Sequence, residues 1–171
     1  DKLVCKLHWF GIENTVIKQF KNKIIKMEKA LKEYRFQEAE VLFSQIKGLY
    51  SENKYKENVL YYKIAQFKEE LKKHLSNEDF MLADQLFKAS SLLSLNEYIE
   101  IKSSFIEDFI SAKYSPINNE KAIALSYPEN NILLKARAGS GKTMVLAYKA
   151  AMLVNKSNGN LLEILVMAFN K

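Results

Sequence analysis

Glycine and proline are scarce in this 171-residue chain, with five of the first and two of the second. Together they make up about 4% of it against the roughly 12% of average usage, which excludes a turn-dense β-sandwich or barrel and predicts a mainly α protein. Cysteine is scarcer still. Cys5 stands alone, so neither an internal disulfide nor a multi-cysteine zinc site can form, and the composition suits a reducing, cytoplasmic setting. Long apolar runs are missing as well. The longest, Ile164 to Phe169, falls far short of the roughly 18 residues that span a bilayer, and the start lacks the pattern of a signal peptide, so no membrane partner is expected. His8 and His74 are the two histidines, too far apart and too short of helical partners to suggest a metal site.

Charge is present and uneven. The net charge is +6, and residues 115–171 hold seven basic side chains against three acidic ones. A basic C-terminal third suits a polyanion such as a nucleotide or nucleic acid. The run Lys18, Lys21, Lys23, Lys26, Lys29 and Lys32 spreads around a helix and is read as a solvated face rather than a phosphate track.

The first 114 residues carry a repeat with a period of 44. Phe36, Ala39, Leu42 and Phe43 recur as Phe80, Ala83, Leu86 and Phe87, Lys29 and Leu31 as Lys73 and Leu75, and Glu40 as Asp84; after a one-residue slip Tyr55 recurs as Tyr98. Within each unit the apolar residues step by three or four, as in Leu60, Ile64, Phe67, Leu71 and Leu75, which places them on one helix face. Ser76-Asn77-Glu78-Asp79 breaks the pattern and offers capping groups and first-turn carboxylates to the next helix. A lone helical hairpin cannot bury its apolar stripe, so the units are expected to stack, with Ala39 and Ala83 at close approaches and Tyr55, Tyr61, Tyr62 and Tyr98 packing between them. The arrangement resembles tetratricopeptide repeats in architecture only.

Ser115-Pro116 closes that region. Beyond it, Ile132-Leu133-Leu134 predicts a short strand, residues from Gly141 to about Asn155 a helix marked by Val145, Leu146, Ala150 and Leu153, and Leu161 to Phe169 a second buried strand. Strand, helix and strand imply a right-handed parallel unit. Between the first strand and the helix lies Ala136-Arg137-Ala138-Gly139-Ser140-Gly141-Lys142-Thr143. Glycines let backbone N–H groups close around phosphates at a helix N-terminus, so Ala138, Gly139, Ser140, Gly141, Lys142, Thr143 and Met144 are the expected nucleotide-binding residues. Lys142 reaches the β- and γ-phosphates of ATP, and the Thr143 hydroxyl is the expected Mg2+ ligand.

A loop of the form Ala-x-Ala-Gly-Ser-Gly-Lys-Thr resembles the first motif of the superfamily 1 helicases related to UvrD and Rep, where alanine commonly opens the loop. Ile164-Leu165-Val166-Met167-Ala168-Phe169-Asn170-Lys171 is similar to the family's next motif. The resemblance covers residues 117–171. It implies the start of a RecA-like P-loop α/β domain, ATP and Mg2+ as cofactors, single-stranded or duplex DNA as partner, and a DNA-side role for Phe169, Asn170 and Lys171. The family usually has a Leu-Asn-x-x-Gln-like stretch that reads adenine; here Ile117-Asn118-Asn119-Glu120-Lys121-Ala122 has no glutamine, and spacing to Ala122 puts Asn119 in its place.

Two segments are therefore expected: an antiparallel helical-hairpin array over 1–114, open to a protein partner, and a truncated ATP-binding domain over 115–171. Asp1 in place of Met and an ending directly after a strand-like run predict an excerpt of a longer, DNA-translocating enzyme, with Lys142 and Thr143 in its catalytic site and the excerpt itself inactive. Two other classes fit the same residues: a helical-repeat interaction scaffold with a nucleotide-binding switch, and a small-molecule kinase.

Overall fold

The computed structural model describes residues 14–128, 133–135, 137 and 139–154. Among them run seven helices: α1 (Asn14–Lys32), α2 (Phe36–Ser44), α3 (Glu52–Ser76), α4 (Phe80–Ala89), α5 (Leu95–Lys113), α6 (Asn119–Ser126) and α7 (Lys142–Val154). The chain divides into two compact units, Asp1–Lys68 and Glu69–Lys171, with α3 contributing to each. No helix among the described residues is long and apolar enough to cross a membrane.

In the first unit α1 buries Met27, Ala30 and Leu31 against Ala39, Phe43 and Ile46. The apolar residues of α1 recur at helical spacing, so one stripe meets the short α2 after a three-residue turn. That turn is backbone-built. Tyr34 takes a positive φ of 57°, and the Arg35 amide donates to the Ala30 carbonyl at 2.8 Å, the closure of a Schellman-type helix end. The Phe43 ring then stacks on Tyr55, centroids 4.1 Å apart.

The second unit repeats these features 44 residues on. Glu78 has φ 62°, the Asp79 amide donates to the His74 carbonyl at 2.8 Å, Ala83 is fully buried as Ala39 is, and Phe87 stacks on Tyr98 at 4.2 Å. The side-chain cap expected from Ser76-Asn77-Glu78-Asp79 does not form: Asp79 occupies the N-cap of α4 without a side-chain cap bond, and Ser76 Oγ donates back to the Lys73 carbonyl at 2.9 Å. Tyr61 departs from the expectation too, at 66% exposure. A capping box starts α5, where Ser94 and Glu97 exchange side-chain to backbone bonds. This helix buries Tyr98, Lys102, Ile106 and Ile110, with Tyr98 and Lys102 meeting Asp84 of α4, and it also packs on α6.

The parallel-strand reading of the C-terminal third is corrected. Among the described residues there is no strand. Leu133 is 81% exposed and Leu134 37%, whereas a strand of a parallel sheet is covered on both faces and exists only through its ladder with a neighbour. The second expected strand, Leu161 to Phe169, lies outside the described residues. The observed architecture is mainly α, without the RecA-like parallel strands that the sequence suggests.

Candidate phosphate-binding turn

Two helices of the second unit hold this region. Asn118 caps α6, its side chain accepting from the Lys121 amide at 3.2 Å, and α6 buries Ala122, Leu125 and Ser126. The α7 helix packs on α6, with Tyr148 and Met152 buried. Of the four apolar residues that mark this helix in the sequence, Val145, Ala150 and Leu153 are half-buried and Leu146 is 48% exposed. Lys149 Nζ donates to the carbonyls of Leu125 at 3.0 Å and Tyr127 at 3.3 Å, so a cation sits where the last carbonyls of α6 lack partners. Burial pulls the Lys149 ammonium below its ordinary range, while Asp84 opposes that shift. Tyr148 and Ser115 hydroxyls meet at 2.5 Å. These contacts set the first turn of α7 beside the first turn of α6.

The segment before α7 bends on its two glycines. Gly139 and Gly141 have φ of 76° and 87°, a region costly to residues with a Cβ. The Ser140 amide donates to the Arg137 carbonyl at 3.3 Å, and the Val145 amide to the Gly141 carbonyl at 3.1 Å, opening the helix. Lys142 Nζ donates to the same Arg137 carbonyl at 2.8 Å, which curls its side chain across the bend. Arg137 itself is exposed, in keeping with a solvent-facing second loop residue.

Sequence reasoning missed two participants, Lys121 and Lys135. A Cβ built on Gly141 would lie 3.1 Å from Lys121 Cε and 3.4 Å from Lys121 Nζ, so the lysine stem occupies space that the glycine leaves open. A cavity of about 200 Å³ here is lined by Glu120, Lys121, Ala124, Leu134, Lys135, Ser140, Lys142 and Val145. Three ammonium groups against one carboxylate make it a seat for an anion. A lysine two or three positions into a helix opposite the glycine bend was the one available signal, and only the packing of α6 on α7 gives it meaning.

Other predicted residues are placed as follows. Ser140 and Lys142 line the cavity; Thr143 and Met144 are exposed on the first turn of α7. Ala138, Phe169, Asn170 and Lys171 lie outside the described residues. Asn119 is exposed on the first turn of α6 and does not line the cavity. Among the described residues no group of His, Cys, Asp and Glu could hold a metal ion.

A larger hollow, about 280 Å³, is lined by Met81, Asp84, Gln85, Lys88, Pro128, Lys149 and Leu153. Two of its charged groups are already engaged. Asp84 accepts from Tyr98 and Lys102 at 2.5 Å each, and Lys149 is committed to α6 carbonyls. The smaller cavity at the bend is the better candidate for a charged ligand.

Comparison with known proteins agrees on this region. No curated protein and no solved structure matches the chain. Residues 117–171 match the family model of the UvrD/REP helicase N-terminal domain, so this third of the chain is similar to that domain.

Proposed function

We propose that the chain is part of an ATP-dependent DNA helicase or translocase and supplies the grip on the phosphates of ATP. One observation carries the reading: Gly139 and Gly141, both at positive φ, frame Ser140 directly ahead of Lys142 at the start of α7. Backbone amides at such a bend are pre-oriented donors, and the helix terminus adds positive potential, so a phosphate is held at little reorganisation cost. Lys142 exchanges its Arg137 carbonyl for phosphate oxygens. The donors present fit a triphosphate: three lysines and a serine line the cavity, and the exposed Thr143 hydroxyl sits on the same helical turn to hold Mg2+ together with phosphate oxygens. Magnesium, when bound, neutralises charge on the transferring phosphoryl group.

In this reading residues 115–171 form the nucleotide-binding part of a longer enzyme, and Phe169, Asn170 and Lys171 contact the DNA backbone. Residues 1–114 form a helical arm that docks a partner protein. The whole protein works in a reducing cytoplasm, in line with a lone Cys5. Calorimetric titration of the chain with magnesium-ATP tests the central point. Lys142→Ala is expected to weaken binding by about tenfold or more; equal affinities for the two proteins would overturn the proposal.

A further inference from the structure

We propose that Lys121 is a third phosphate-facing cation of this site. The inference rests on the nucleotide reading above and extends it. Its starting point is the crossing of Lys121 over Gly141, with Cε and Nζ at 3.1 and 3.4 Å from the position a Cβ would take. An ammonium held against the bend acts on the same phosphates as Lys142, while Lys135 lines the cavity with them.

The helix geometry explains why this residue has that position. Asn118 is spent on capping α6, and its side chain binds the Lys121 amide. Asn119 is exposed one residue later. Lys121, and not Asn119, lines the cavity, and an ammonium offers three donors to phosphate oxygens. The cavity volume of about 200 Å³ is below the roughly 300 Å³ at which clefts begin to enclose a whole drug-sized ligand, which suits a phosphate tail.

The test measures binding of magnesium-ATP, magnesium-GTP and inorganic triphosphate to the chain and to its Lys121→Ala, Lys121→Arg and Lys142→Ala variants, with circular dichroism to check folding. Lys121→Ala is expected to weaken all three ligands by about tenfold, the size of one charge-assisted contact, and Lys121→Arg to restore them. Unchanged binding in Lys121→Ala would overturn the proposal. If Lys142→Ala abolishes binding while Lys121→Ala does not, only the role of Lys121 falls. If no triphosphate binds the parent chain, the nucleotide reading falls with it.

Discussion

Lys102 is 1% exposed, and its ammonium shares the Asp84 carboxylate with the hydroxyl of the fully buried Tyr98. Removing one member of a buried pair strands the other, so Asp84→Ala is expected to cost about 3–5 kcal/mol in a urea titration. The first unit offers the control. Val59 packs on its core where the one-residue slip of the repeat places Lys102 in the second, so an apolar residue suits that position. The triple variant Asp84→Leu, Tyr98→Phe, Lys102→Met is expected to recover stability to within about 1 kcal/mol of the parent. The same cluster sets a pH dependence. Burial pulls the Lys102 ammonium below its ordinary 10.5 to about 8, against the attraction of Asp84 and helped by Lys149 and Lys88. Between pH 8 and 10 the unfolded chain therefore holds a proton that the folded chain has released, and stability rises with pH; it is lost again as pH falls through 8. Lys149 is shifted in the same direction. Burial, then its bond to Asp84, pushes the Tyr98 hydroxyl up, so stability declines once tyrosine ionises in the unfolded chain. The unfolding free energy from urea titration is expected to be higher at pH 9.5 than at pH 7, by on the order of 1 kcal/mol or more, and Lys102→Met to flatten the profile.

At the scale of elements, the 44-residue period is written into the backbone as well as the side chains. Tyr34 and Glu78 hold equivalent positive φ values, and Phe43–Tyr55 and Phe87–Tyr98 stack at matching distances. Neither turn residue is glycine. Tyr34→Gly is expected to be neutral or to stabilise by up to about 1 kcal/mol, despite removal of its ring from beside Phe36, whereas the β-branched Tyr34→Val costs about 1 kcal/mol or more by thermal melting. Ser94→Ala, which dismantles the capping box of α5, is expected to cost about 1 kcal/mol. The helices, the repeat and its slip were legible because apolar spacing and aromatic pairing recur in the chain. The turns were legible only as interruptions. Their closure runs between backbone atoms, such as the Asp79 amide and the His74 carbonyl, and leaves no side-chain signature; Ser76, which has the chemistry of a cap, stays bonded within its own helix.

For the whole molecule, the helicase reading extends to residues beyond the described ones. In a longer protein that carries the remaining motor, Lys142→Ala is expected to reduce DNA-stimulated ATP hydrolysis by about a hundredfold or more with DNA affinity retained. Lys171→Ala is expected to weaken single-stranded DNA binding and to lower the salt slope by about 0.7, the share of a single neutralised phosphate. Unchanged hydrolysis or an unchanged slope would count against the assigned roles. The mainly α character, the repeat, the glycine bend ahead of Lys142 and the UvrD/Rep-like stretch are readable along the chain, because each depends on composition, local spacing or the conformational freedom of single residues. Packing alone leaves Leu133 exposed rather than laid into a sheet, carries Lys121 across Gly141 and brings Asp84 to Tyr98 and Lys102. Those are encounters between residues distant along the chain, set by which faces the helices bury.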